Sequence, residues 1–347
     1  MPLIDFHNHY YPPRYMKALQ SGESSVKVTV DSDGNPNLHY PGDYNVAVRG
    51  HRDLAYRQDV LDRHGVTMQA VTLTTPGTHV ETPATAARLA SMVNDEFRDA
   101  IETRGTRFTA LATLPLNDPE ASAKEFSRAT GQLELPGAML FSNINGVPLS
   151  DTRFWPIYEA ANDVGAVLYI HPAHPANVDM MKEYWLMPLV GFLFDTTLAA
   201  ASLTFSGVPE RFPNIKWALC HLGGAIPYLA ERLDRGFHAF KDCRARIDRP
   251  PSEYLKHFYY DTVNFNQGAL KLAIDFAGAD HLLAGSDYPH QIGSIPSMIE
   301  AISELPVSDE EREGIRWRNA ARLLRLEDKF PPLNSSLCSP RRSHGLD

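Results

Sequence analysis

The first residues able to do chemistry stand at positions 7 and 9. Ile4-Asp5-Phe6-His7-Asn8-His9 reads as a short buried strand ending in two histidines with one residue between them. Side chains at i and i+2 of a strand point to the same side. His7 and His9 therefore present two imidazoles in one direction, which is half of a metal site. Three further strands end in comparable groups. Val167-Leu168-Tyr169-Ile170 runs into His171, Lys216-Trp217-Ala218-Leu219-Cys220 into His221, and His281-Leu282-Leu283-Ala284-Gly285-Ser286 into Asp287. Random placement of 14 histidines rarely gives this pattern. Imidazoles and a carboxylate without a thiolate suit zinc, manganese or iron. A catalytic ion keeps one position open and lowers the pKa of bound water towards ~7. A nearby neutral histidine can carry the remaining protons.

The elements that must position these groups alternate. Helical periodicity over 53–64, 83–102, 118–130, 154–163, 184–207, 226–240, 267–276, 295–304 and 308–324 is interleaved with apolar strands at 66–73, 108–114, 137–141, 166–171, 215–221, 258–261 and 281–285. Asp118 is an N-cap with Pro119 at the first helical position; Gly65 and Gly165 are helix stops. About eight strand–helix alternations predict a parallel sheet with crossover helices, and the count favours a (β/α)8 TIM-type barrel. An open doubly wound sheet is disfavoured because no G-x-G-x-x-G follows the first strand. Residues 22–48 read as a β-hairpin insertion, with Asp31-Ser32-Asp33-Gly34-Asn35 as the turn. The expected organisation is one barrel domain over 1–326, followed by a Pro-, Ser- and Arg-rich tail, 327–347, that is disordered or an arm on a partner subunit.

Composition narrows the partners. The chain has 347 residues, 43% hydrophobic and 22% charged, with a net charge of -9. That balance argues against a general nucleic-acid or anionic-membrane surface. No run of about 18 uncharged apolar residues is found, so no membrane span is expected. The chain opens directly on a strand without a leader-like pattern, and Cys220, Cys243 and Cys338 are widely spaced. A cytoplasmic protein with reduced thiols is the expectation.

Asp5-Phe6-His7-Asn8-His9, Ile170-His171-Pro172, His221-Leu222-Gly223-Gly224-Ala225 and Gly285-Ser286-Asp287-Tyr288-Pro289 together resemble the amidohydrolase superfamily. More narrowly they are similar to its "amidohydrolase 2" branch, that of aminocarboxymuconate semialdehyde decarboxylase. The segments 183–191 and 207–213 carry the same likeness. The resemblance implies that His7, His9, His171 and Asp287 hold one divalent ion, zinc foremost, with manganese or iron as alternatives. It implies that His221, just outside the coordination sphere, activates metal-bound water and relays its proton, so that His221 and Asp287 are the catalytic pair. Hydrolytic members often bridge two metals through a carbamylated lysine; no lysine ends a central strand here, Lys182 and Lys216 lying elsewhere.

The resemblance also implies substrate contacts. Arg49 is similar to the family's substrate-carboxylate arginine, with Arg52 as the alternative because the spacing to Gly65 differs by one. Arg232 matches an arginine donated across a dimer interface, and Trp185 an aromatic wall of the pocket. Read alone, each is equally a solvated charge or a packing side chain. An arginine fork suits a carboxylate. Ala173-His174-Pro175 departs from the decarboxylase, which has a tryptophan and an acidic residue there. His174 and His290 therefore stand open between acid/base group, substrate contact and plain loop residue. His39, His64, His79, His238, His257 and His344 read as ordinary surface or helix residues.

The expected activity is metal-dependent, non-oxidative decarboxylation of an aromatic or muconate-type carboxylic acid. Its alternatives are hydrolysis of a lactone, amide or cyclic ester, and hydration of an unsaturated acid. A purely structural metal is disfavoured, since such sites are closed and favour cysteine. The expected partners are a small carboxylic acid and a second copy of the chain, with Arg232 reaching the neighbouring site.

Overall fold

The computed structural model describes residues 1–175 and 178–330. Eight short parallel strands form its centre: β1 (Ile4–His9), β2 (Met68–Thr72), β3 (Phe108–Ala110), β4 (Gly137–Phe141), β5 (Val167–His171), β6 (Lys216–Leu219), β7 (Tyr259–Asp261) and β8 (Leu282–Leu283). They lie in two sheets, β1-β2-β3 and β8-β7-β6-β5-β4. Backbone bonds join the sheets at both seams. Met139 N donates to Ala112 O at 2.9 Å, and Phe6 N donates to Ala284 O at 2.7 Å. Nearly every strand residue is buried, as both faces of a parallel sheet must be when helices cover it. One continuous apolar core runs from Leu3 to Phe330.

Local signals place the helices. Asp118 Oδ1 accepts from Ala121 N at 3.1 Å, capping Pro119–Gly131. Gly65 (φ 67) and Gly165 (φ 57) end Leu54–His64 and Trp155–Val164 in the left-handed region, where a side chain would be strained. The region 184–207 begins with a wider-wound turn, Met187–Gly191, that continues into Phe192–Phe205. Within it Met187–Phe205 reaches the length and mean hydropathy (1.4) of a membrane span, although it is not an uncharged run. Asp195 lies within it, bonded to Ser142 Oγ and Asn143 Nδ2, and Thr196, Ala200 and Leu203 are buried in the protein.

The insertion is larger than a hairpin. Lys27–Val30, Pro36–Tyr40 and Asp43–Val46 form a three-stranded antiparallel sheet, Tyr40 opposite Asp43 across the turn. The third strand is only four residues long and follows Pro41-Gly42 directly, so its alternation is too short to read. Of the tail, Glu327–Lys329 forms a helical turn and Phe330 packs on Trp317 at 5.3 Å; residues 331–347 lie outside the described residues.

Arg57 ties β1 to its surroundings. It is fully buried. Its Nη1 donates to Asn8 Oδ1 (2.9 Å) and Gln69 Oε1 (2.8 Å), its Nε and Nη2 donate to Gly50 O, and Nη2 also reaches His9 O. Arg57→Ala orphans these acceptors in a dry interior, so it should lower unfolding stability by about 3 kcal/mol. Arg57→Lys should recover only part, since one ammonium cannot reproduce the fork. Equilibrium denaturant unfolding of the three proteins checks this.

Candidate metal centre

Four strand ends bring their side chains to one point. His7 Nε2 lies 3.2 Å from His9 Nε2. Asp287 Oδ1 lies 3.4 Å from His7 Nε2 and 3.3 Å from His9 Nε2. The His171 ring stands 4.7 Å from that of His9 and 5.4 Å from that of His7, centre to centre. His221 flanks the group, its Nε2 3.8 Å from Asp287 Oδ2 and its ring 4.9 Å from that of His7. Two triplets have ligand atoms close enough to share an ion, His7-His9-Asp287 and His7-His171-His221. All five side chains are buried.

Surrounding bonds fix which nitrogen of each ring carries the proton. His7 Nδ1 meets Asp261 Oδ2 at 2.6 Å and His171 Nδ1 meets Pro172 O at 2.9 Å. Both partners are acceptors only, so Nδ1 donates and the Nε2 lone pair is left free. His9 Nδ1 meets Thr72 Oγ1 at 3.1 Å, and that hydroxyl already donates to Asn8 O at 2.9 Å. His9 therefore also donates from Nδ1. Three Nε2 lone pairs face the centre, which is how outer partners commonly prepare metal-ligating histidines.

Asp261 does more than hold His7. It accepts from Tyr169 Oη (2.8 Å), from the backbone N–H of His221 (3.1 Å) and from that of Leu222 (3.1 Å). These bonds pin a turn in which His221 (φ 50) and Leu222 (φ 56) both take left-handed conformations. Asp287 (φ 58) is held likewise. Asp5 accepts from Ser286 N (3.0 Å) and Ser286 Oγ (2.6 Å) just before it. Such backbone geometry costs about 1–3 kcal/mol per residue and concentrates at functional sites.

The electrostatics call for a cation. Burial would raise the Asp287 carboxyl, yet His7, His221 and His9 hold it well below the usual range. Its Oδ1 has no hydrogen-bond partner among the described residues. Burial drives His9 and His171 well below the ordinary histidine value. Burial opposes charge on His7 too, but the Asp261 and Asp287 carboxylates outweigh it and push that imidazole up to about 10. Without an ion, the positive charge this centre wants is thus supplied by a proton on His7. An orphaned buried carboxylate oxygen beside three free Nε2 atoms fits a divalent ion.

The other predicted residues fall in different places. His290 stands 4.9 Å from the His9 ring, at the centre's edge. His174 lines an adjoining cavity. Trp185 is 62% exposed and lies 6.1 Å from the Tyr44 ring of the inserted sheet. Arg232 is exposed on Ile226–Ala239 and makes no ion pair among the described residues. Arg49 is not with the cluster. It pairs with Asp53 (2.9 Å), covers the Tyr56 ring and borders a separate surface cavity with Tyr10, Asp33 and Arg104. Arg52 borders the same cavity and donates to Ala47 O. Both arginines thus border this surface cavity, and neither bonds to a side chain of the cluster among the described residues.

Three residues escape the sequence reading. Asp261 ends a strand just as the histidines do, and that position was its signal. His51 is 1% exposed, neither ring nitrogen has a partner among the described residues, and its ring meets that of His290 at 5.0 Å. His79, expected to be an ordinary surface or helix residue, is buried against Phe141 at 4.6 Å. No local pattern marks either of these two histidines.

Comparison with known proteins agrees with the geometry. Residues 4–326 match the amidohydrolase family model. The chain belongs to the amidohydrolase family. A 2-amino-3-carboxymuconate-6-semialdehyde decarboxylase of Dictyostelium discoideum is 35% identical over 248 residues, 71% of this chain and 68% of that protein. The 5-carboxyvanillate decarboxylase of Sphingomonas paucimobilis superposes with a TM-score of 0.82 at 26% identity, covering 93% of this chain and 99% of its own. A dihydroxybenzoic acid decarboxylase of Polaromonas sp. JS666, solved with bound manganese and the inhibitor 2-nitroresorcinol, gives 0.79 at 25% identity over 94% of this amidohydrolase and 97% of its own chain.

A metal ligand must give up its proton. With His7 at about 10 in the metal-free protein, manganese binding at pH 8 should release close to one proton per chain. Asp261→Asn removes the strongest influence raising His7, so the release should shrink, and metal affinity should fall about 10- to 100-fold. Titration calorimetry in buffers of different ionisation enthalpy measures both.

Proposed function

We propose that this amidohydrolase is a metal-dependent, non-oxidative decarboxylase of an aromatic or muconate-type carboxylic acid. The observation that carries the reading is the convergence of three free Nε2 atoms and an unpartnered Asp287 oxygen at one buried point, in a family whose similar members are decarboxylases. His7, His9, His171 and Asp287 would hold one divalent ion. Zinc suits this donor set, and manganese, which the Polaromonas relative binds, is the alternative. Such an ion supplies a Lewis acid that polarises a substrate oxygen and stabilises developing negative charge.

The remaining work falls to the chain. His221 flanks the ligand set, its Nε2 3.8 Å from Asp287 Oδ2, and is the group that gives and takes the proton. In a phenolic acid, the carbon bearing the carboxylate takes a proton, the bond to the carboxylate then breaks, and its electron pair restores the ring as CO2 leaves. In a muconate-type acid, water adds across the conjugated double bond, the carbon bearing the carboxylate taking the proton; CO2 then leaves, and the freed electron pair expels the added hydroxide, which regains a proton as water and restores the double bond. Asp287 stays ionised throughout, held so by the surrounding imidazoles. Burial excludes water from the developing charge and strengthens each of these interactions.

The same reading extends to the architecture. The two parallel sheets, joined at both seams, support a closed (β/α)8 barrel forming one domain over 1–326, with the strand ends at its catalytic mouth. A homodimer in which Arg232 enters the neighbouring site is supported by Arg232 making no ion pair among the described residues and by the exposed Tyr228 on its helix and Val190, Phe194 and Leu198 on Met187–Phe205. The unpaired thiols Cys220 and Cys243 support a cytoplasmic location.

His221→Ala should retain its metal and lose about 10²- to 10⁴-fold in kcat. CO2 release from a panel of hydroxybenzoates, run beside lactone substrates, checks both the class and the residue. Lactone opening with no CO2 from any acid would replace decarboxylation with hydrolysis. Arg232→Ala should lose activity as a purified homodimer, and mixing it with a His221→Ala chain should restore about a quarter of wild-type turnover if sites are shared. Separate sites would show no recovery.

A further inference from the structure

Beside the metal centre lies a cavity of about 390 Å³. Its walls come from the inserted sheet (Tyr40, Pro41), the segment after β2 (Thr75–Val80), the segment after β4 (Asn143–Gly146) and the residues following His171 (Ala173, His174). The buried Phe141 ring stands between it and the centre, 6.4 Å from the ring of His171 and 4.6 Å from that of His79. Two imidazoles line it. His79 is 5% exposed, and its Nδ1, like Nδ1 of His174, has no hydrogen-bond partner among the described residues. Asn145 Nδ2 donates to His79 O (2.9 Å) and Asn143 Nδ2 to His174 O (3.1 Å), so both loops are pinned. The turn carrying Gly42 (φ 85) lies directly on the His174 ring, where a Cβ would come within 2.1 Å of Cε1. The inserted sheet therefore roofs the cavity.

The charge of the cavity is one-sided. Among the described residues no lysine or arginine lines it. Two carboxylates stand close to His174: Asp43, bonded to Tyr40 Oη at 3.0 Å, and Asp195, bonded to Asn143 Nδ2 at 2.9 Å. Burial holds His79 at about 4, so it is a neutral hydrogen-bonding group at pH 7. Cavities of this size with few convergent polar groups hold small molecules, and unpaired buried nitrogens gain most from a ligand that bonds them.

Building on the decarboxylase reading, we propose that this cavity holds the part of the acid distal to the reacting carboxylate. It takes an aromatic ring bearing a neutral hydrogen-bonding group, such as a hydroxyl or an amide, and rejects a second carboxylate. His79 and His174 contact that group and set the specificity.

The test uses the full-length, manganese-loaded protein and three probes: 2-hydroxybenzoate, 2,4-dihydroxybenzoate and 4-hydroxyisophthalate. kcat/KM for CO2 release and calorimetric Kd are measured for each. In the wild type the dihydroxy acid should exceed the monohydroxy acid on the order of tenfold, through KM, and the diacid should fall below both. His79→Leu and His174→Leu should collapse the dihydroxy-to-monohydroxy ratio towards one, and His79→Gln and His174→Gln should keep most of it. His174→Arg should favour the diacid. Should His79→Leu misfold by circular dichroism, the part-exposed His174 series still decides. A diacid preferred by the wild type, or a ratio unchanged in the leucine variants, overturns the proposal. If no acid releases CO2, the decarboxylase reading fails, and the Kd ratios still decide the subsite.

Discussion

The site depends on one constraint: three imidazole lone pairs and a carboxylate oxygen must meet in a dry interior without being protonated. Each imidazole must therefore spend its only proton outward. Asp261, Thr72 and Pro172 O receive those protons. The rest of the architecture follows from keeping these acceptors in register. Thr72 ends β2, Asp261 ends β7 and Pro172 follows β5, so the strand register also sets the proton positions. A slip of one residue in any strand would turn the donor to the wrong face.

Asp261 carries the most of this load. Its two oxygens serve His7, Tyr169 and three backbone N–H groups. They hold the strained His221 turn as well as the tautomer of His7, so proton traffic and ion affinity are coupled through one carboxylate. Asp5 does the corresponding work for the Asp287 turn through Ser286. Two buried acids, neither touching the centre's open side, thus support the groups that do.

Much of the centre was legible because residue type and strand position coincide. His7 and His9 face one way by the two-residue period, and His171, His221 and Asp287 each end an apolar run. Asp261 obeys the same rule, but a single aspartate at a strand end has no partner spacing to mark it. The helices with Asp118, Gly65 and Gly165 were legible through capping chemistry. What the sequence hid depends on tertiary packing. His51, on the helical turn Arg49–Arg52, and His79, in a loop, are buried by Tyr11, His290 and Phe141 from distant segments. The direction taken by Arg49 is decided by Asp53 and Tyr56 on the next turn of chain. The opening histidine pair fixes the kind of chemistry, and the loops that roof the mouth fix what reaches it.

The most direct measurement of the central claim is anomalous diffraction from crystals grown with manganese or zinc, collected on both sides of the metal's absorption edge. The account predicts a single peak about 2.0–2.3 Å from Nε2 of His7, His9 and His171 and from an Asp287 oxygen, with one position open towards His221. Two peaks, a peak ligated by His221 in place of His171, or no peak among these residues in active protein would contradict it.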